Sequence, residues 1–149
     1  MEKEVVISIK GVQKYEGTAP DTMELVTKGR LSRVGESYTL SYQESELTGL
    51  EGTLTTIQVD GGQVTLMRVG EFNSQLVFQE GRRHLSMYNT PYGAMSIGVN
   101  TRHLMASLTD QGGDIEVEYT IEVDHALAGR NVFRINVKES ESGLGSLKQ

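Results

Sequence analysis

From Ile115 to Asp124 apolar and polar residues alternate without a break. Ile115, Val117, Tyr119, Ile121 and Val123 fall on one side, and Glu116, Glu118, Thr120, Glu122 and Asp124 on the other. A period of two over ten residues describes a strand with one buried and one wet face; on a helix the same residues would scatter around the axis. The pattern recurs along the chain: Val5, Ile7 and Ile9; Met23, Leu25 and Thr27; Tyr38, Leu40, Tyr42 and Glu44; Phe72, Ser74, Leu76 and Phe78; Phe133, Ile135 and Val137.

Turn chemistry separates these runs. Thr90-Pro91-Tyr92-Gly93 has the makings of a type I turn and joins Leu85 and Met87 to Met95, Ile97 and Val99 as a hairpin. Asp60-Gly61-Gly62-Gln63 reads as a type I′ turn and Gln111-Gly112-Gly113-Asp114 as a second double-glycine hairpin. Arg33-Val34-Gly35-Glu36 recurs letter for letter at Arg68-Val69-Gly70-Glu71, and both read as type II′ turns. Their flanks differ, so the identity reflects turn chemistry and not an internal repeat. Gly11 and Gly29 break strand patterns from within, as bends in a strongly coiled sheet do. The period of Arg102 to Leu108 is unclear: its composition tolerates a short helix, and the simpler reading continues a strand after a bulge near Asn100. His125 to Asn131 loops back to the last strand.

About ten strands with short connections define an all-β chain whose sequential neighbours pair antiparallel. An open meander would leave two raw edges, and closing the sheet removes them. The expected fold is a single up-and-down antiparallel β-barrel of about 8–10 strands over residues 1–138, with residues 139–149 as a polar tail. A two-sheet sandwich is the alternative. The length of 149 residues suits one domain with its own core.

The chain has no cysteine, which excludes a disulfide framework, a thiol nucleophile and cysteine-held metal. Its net charge of −6 weighs against nucleic acid as a partner, since Arg82, Arg83 and His84 sit among acids. No apolar run approaches the ~20 residues of a membrane span, and the opening MEKEVVISIK lacks a basic then apolar leader pattern. The cytoplasm is the default expectation. His84, His103 and His125 lie far apart without metal-site spacing; His103 could serve as an axial haem ligand, though an ordinary surface histidine is the simpler reading. No nucleophile elbow or phosphate-binding glycine loop is present, so no catalytic residue, metal or cofactor is expected.

Glu44 and Arg68 are the charges of interest. Glu44 shares a face with Tyr38, Leu40 and Tyr42, and Arg68 shares one with Val64 and Leu66. If both faces point inward, a carboxylate and a guanidinium enter an apolar lumen, where they must pair or meet a ligand. If they stand near strand ends, they reach solvent at the rim instead. Tyr38, Tyr42, Tyr88, Tyr92 and Tyr119 suit a pocket wall, having an apolar body and a polar tip, and are also ordinary strand formers.

Three pieces in order resemble the YwiB-like bacterial proteins, a domain of unknown function. They are Tyr38-x-Leu40-Ser41-Tyr42-x-Glu44, the run Val64 to Gly70, and Tyr88-x-Thr90-Pro91-x-Gly93-x-Met95 closing with Thr101. The resemblance implies a calycin-like (lipocalin-like) barrel in a cytoplasmic bacterial protein and supplies no activity. By analogy with calycins, the barrel is expected to bind a small apolar or amphipathic molecule, with Tyr38, Tyr42, Glu44, Arg68 and Tyr88 as candidate ligand-binding residues. The competing expectation is a protein-interaction or structural module with a filled barrel, and a homodimer is open to either.

Overall fold

The computed structural model describes residues 1–15, 17, 19–46, 50–70, 73–90 and 92–140, without the side chains of 87–90. Its strands are β1 (Glu2–Lys14), β2 (Asp21–Val34), β3 (Ser37–Gln43), β4 (Thr53–Asp60), β5 (Gln63–Gly70), β6 (Ser74–Gln79), β7 (Arg83–Thr90), β8 (Gly93–Thr109), β9 (Gly112–Val123) and β10 (Ala126–Glu139). All pairings are antiparallel, in the order β6-β5-β4-β3-β2-β1-β10-β9-β8-β7. The first and last strands meet in a full ladder from Val5 opposite Glu139 to Lys14 opposite Arg130. The single interruption therefore falls between β6 and β7, which follow one another in the chain. The result is a nearly closed ten-stranded barrel.

The seam between β6 and β7 is bridged without a ladder. The turn after β6 docks on β8, where the Gly81 amide donates to the Thr101 carbonyl at 2.9 Å and the Thr101 amide donates to the Arg82 carbonyl at 3.2 Å. The Gln79 amide donates to Thr101 Oγ1 at 3.2 Å, and Ser86 Oγ donates to the Gln75 carbonyl at 2.9 Å. A bulge between Thr101 and His103, where the sequence placed one, lets β8 turn toward this end of β6.

Alternation puts one residue in two inside. Val5, Ile7, Ile9, Leu31, Leu40, Ile57, Val64, Val99, Ile115, Val117, Ile135 and Val137 are buried together. Across the middle of the lumen, Phe78 lies 4.7 Å from Tyr119 and 5.5 Å from Phe133, ring centre to ring centre, in tilted and edge-on geometries. These three rings join β6 to β9 and β10 through the interior, tying the two sides of the seam together.

Several turns differ from expectation. The Gly35 loop is type II′, as expected, with positive φ at its first central residue alone; Asp60 to Gln63 is type II′ as well, since Gly62 does not share the positive φ of Gly61. The second Arg-Val-Gly-Glu stretch is no two-residue turn, because Arg68 pairs with Ser74 and five residues lie between them. Gly112 and Gly113 belong to β9, and the turn before them is Asp110-Gln111. The glycines are needed for another reason. At φ values of 123° and 145°, a side chain on Gly112 or Gly113 would stand 2.1 Å from the Val137 carbonyl or 1.9 Å from the Ser107 carbonyl. The expected loop from His125 to Asn131 shrinks to Asp124-His125, both at positive φ, and β10 starts at Ala126. Pro91, Glu71, Phe72 and the tail 141–149 lie outside the described residues.

At the Tyr38 end of the barrel, the β8–β9 turn is clasped to β2 and β3. Asp110 Oδ1 accepts from Tyr38 Oη and from Arg33 Nε, each at 2.9 Å. The Tyr38 hydrogen bond first, then Arg33's hydrogen bond and charge, hold the Asp110 carboxyl below its ordinary range. A carboxylate with a depressed folded pKa stabilises above its unfolded value and loses that contribution as pH falls through the folded one. An NMR titration of Asp110 should therefore show a midpoint below the ordinary aspartate value, and Tyr38→Phe should move it back up. A second expectation concerns Gly29, where an added methyl would meet Ile7 Cδ1 and the Ser41 carbonyl at 2.5 Å. In urea denaturation, Gly29→Ala should cost about 1–3 kcal/mol by overpacking. Gly62→Ala, with open space around it, should stay within about 0.5 kcal/mol of the parent.

Candidate functional site

The site is built on four neighbouring strands by register alone. Tyr42 on β3 faces Thr55 on β4, Thr55 faces Arg68 on β5, and Arg68 faces Ser74 on β6. Direct partners share a face, so this row crosses the inner wall near the barrel end opposite the Asp110 clasp. Glu44 lies one alternation beyond Tyr42, just past the end of β3. Its amide donates to the Thr53 carbonyl at 2.8 Å, which keeps its side chain on the inward side.

The two charges singled out in the sequence do meet here. Arg68 Nε stands 3.7 Å from Glu44 Oε2; the Glu44 side chain is 1% exposed and that of Arg68 27%. Removing a carboxylate from water costs several kcal/mol unless donors and a countercharge replace the solvent. Thr55 Oγ1 donates to Glu44 Oε2, and the Tyr42 hydroxyl also hydrogen-bonds this carboxyl. Arg68 supplies the countercharge. At 3.7 Å, however, its Nε is too far to donate to Glu44, and this buried nitrogen has no hydrogen-bond partner. Ser74 Oγ, on the next strand of the same row, is likewise buried and unpartnered.

Above the Phe78–Tyr119–Phe133 rings the lumen holds a cavity of about 150 Å³. Ile9, Ile57, Leu66, Leu76 and Ile135 form its apolar wall, and Tyr42, Arg68, Tyr119 and Asn131 its polar groups. Gly11, Gln13 and Met23 border it toward the ends of β1 and β2. Burial pushes the Tyr119 hydroxyl up to about 12, and the nearby Arg68 charge partly offsets that rise. Tyr42 is driven up further, by burial first and then by the Glu44 carboxylate, with Arg68 again opposing. The arrangement can hold a hydrogen-bond acceptor at Arg68 while surrounding the rest of a molecule with hydrocarbon.

Of the residues expected to form the site, Tyr42, Glu44 and Arg68 come together. Tyr38 does not join them: it lies at the other end of β3, bonded to Asp110, because it stands four positions along the strand from Tyr42. Tyr88 sits opposite Met95 in the β7–β8 ladder, and its side chain lies outside the described residues. Asn131, inside a stretch whose composition suggests a loop, is a cavity residue the sequence does not single out; counting back by two from Phe133 places it on the inner face. His103 points outward between Glu80 at 3.5 Å and Glu116 at 4.0 Å, away from the lumen. Among the described residues no three His, Asp or Glu side chains gather as a metal site would require.

A nearly closed antiparallel barrel with a buried ion pair beside a small interior cavity defines this chain as a small β-barrel protein. It matches the model of DUF1934, a domain of unknown function, over residues 7–135, and it belongs to that family. The uncharacterized β-barrel protein YwiB of Bacillus subtilis (strain 168) is 24% identical over 122 residues, covering 82% of this chain and 84% of that protein. The crystal structure of the Bacillus subtilis ywiB protein aligns with a TM-score of 0.82 at 22% identity, over 93% of each chain. At that identity the likeness establishes the shared fold.

The raised tyrosines can be checked by alkaline titration at 295 nm. Tyr119 should ionise near pH 12, and Tyr42 later still. A hydroxyl whose folded pKa exceeds its unfolded value of about 10 stabilises below pH 10 and loses that contribution as pH rises through the folded value. Arg68→Gln removes the opposing charge and should raise the Tyr119 midpoint.

Proposed function

We propose that this protein is a binding barrel for a small, partly apolar molecule held at the Arg68 end of the lumen. The observation that supports it is the 150 Å³ cavity, apolar on most sides, with one buried guanidinium nitrogen that no protein group satisfies. Burying such a donor without an acceptor costs about 1–3 kcal/mol, and binding sites are where such costs are tolerated. Tyr42, Glu44 and Arg68 are the binding residues of this reading, with Glu44 and Tyr42 holding the guanidinium in place. Kinship with calycins and a cytoplasmic setting belong to the same proposal, resting on the up-and-down barrel and on the YwiB-like motifs. A net charge of −6 favours a small molecule over nucleic acid.

A second reading has its own support. The three-ring plug and the buried aliphatic residues fill most of the lumen, and the cavity is smaller than the ~300–1,000 Å³ of typical ligand sites. A filled barrel would act through its surface, where Tyr92 is 99% exposed at a hairpin tip and Val34 81% at another.

One substitution separates the two. Gly11 borders the cavity, and a Cβ placed there meets Met23 Cε at an ordinary contact distance of 3.8 Å. Gly11→Met should fill the cavity and leave the barrel folded. In a thermal-shift screen of fragments of about six to ten non-hydrogen atoms, binders should stabilise the parent and not Gly11→Met. A screen in which no fragment distinguishes the two proteins would favour the filled barrel.

A further inference from the structure

We infer that the lumen site takes a small monocarboxylate whose apolar body is no larger than a benzene ring or a short aliphatic chain. This deepens the binding-barrel reading and rests on it.

The argument starts from Arg68. A guanidinium presents Nε–H and one Nη–H as a planar fork, matched to two coplanar oxygens and only half used by one. Glu44 does not occupy that fork. Its carboxyl is engaged by Thr55 and Tyr42 and stands 3.7 Å from Nε, near enough to steady the charge and too far to accept its proton. Nε is buried beside the cavity with no acceptor, and Ser74 Oγ, its neighbour across β5 and β6, is a second donor in the same condition. Of the two, Arg68 lines the cavity, and an unsatisfied guanidinium there calls for an oxygen-rich group.

Charge selects among such groups. Tyr119, which also lines the cavity, lies in the positive field of Arg68. The Glu44 carboxyl is engaged by Thr55 and Tyr42, and among the described residues Arg68 is the charged side chain in the cavity wall. An anion placed there gains charge-assisted hydrogen bonds, whereas a cation would replace favourable contacts by repulsion. Size limits the remainder. A cavity near 150 Å³ holds a benzene-sized body, so long-chain acids do not fit inside it. Ile57, Leu66 and Phe133 supply the apolar walls.

The test uses the full chain in ¹H–¹⁵N NMR, with benzoate as probe and benzamide and benzylamine as isosteres. Benzoate should shift the backbone amides of Arg68, Ser74, Tyr119 and Asn131 saturably. Benzamide should bind at least tenfold more weakly, and benzylamine should leave those amides unmoved. Arg68→Lys keeps the charge and removes the fork; with an otherwise unchanged spectrum it should weaken benzoate at least tenfold. Should that variant unfold, Asn131→Asp, which sets a carboxylate in the cavity wall, should weaken benzoate by a similar factor. Equal binding of benzoate and benzamide, or undiminished benzoate binding by these variants, would overturn the carboxylate assignment and leave the binding barrel standing. If none of the three compounds moves the lumen amides at millimolar concentration, the assignment and the binding barrel fall together.

Discussion

A sheet made only of hairpins has two edges, and everything in this molecule follows from how they are hidden. Unpaired edge amides and carbonyls invite pairing with other chains, so a soluble meander must cover or join them. Here the first and last strands join by a complete ladder, which turns the meander into a ring. The break then has to fall elsewhere, and it falls between β6 and β7. Contacts other than a ladder hold that gap: the Phe78, Tyr119 and Phe133 rings inside, the Gly81 and Arg82 main chain docked on Thr101, and the Thr101 and Ser86 hydroxyls along the line.

Closure also makes the polar cluster possible. A carboxylate as buried as Glu44 is tolerable only if the countercharge and donors are fixed around it. The register of β3, β4 and β5 places Tyr42, Thr55 and Arg68 on one inward row, so the cluster is assembled by strand pairing and not by a flexible loop. The same row runs on to Ser74 at the edge strand β6. The polar cluster and the weakest line of the barrel are therefore neighbours.

The architecture was legible in the sequence because period-two alternation and turn residues are local signals. The meander, the β8 bulge and the barrel all came from them. Turn types were less legible: Gly112 and Gly113 look like a hairpin turn, but what demands glycine there is the close approach of the Val137 and Ser107 carbonyls from the flanking strands. Only the folded sheet brings those carbonyls near. The site was legible in part for a similar reason. Parity along a strand shows which residues share a face, so Glu44 and Arg68 stand out as partners on the condition that both faces point inward, with the solvated rim as the alternative. It does not show which end of the barrel a residue occupies, and so Tyr38 was grouped with Tyr42 although it serves the Asp110 clasp. Asn131 was hidden by a connection that folds as two residues, Asp124 and His125, and not as the longer loop its composition suggested.

The missing ladder between β6 and β7 has a kinetic meaning. Parting any other pair of neighbours breaks a row of main-chain hydrogen bonds at once, while parting these two breaks side-chain contacts and the docking of one turn on β8. Thermal breathing will thus begin along this line, in the manner of a purse opening at its clasp. Opening there would bare the inner row at Ser74 first, without the ring of strands having to widen.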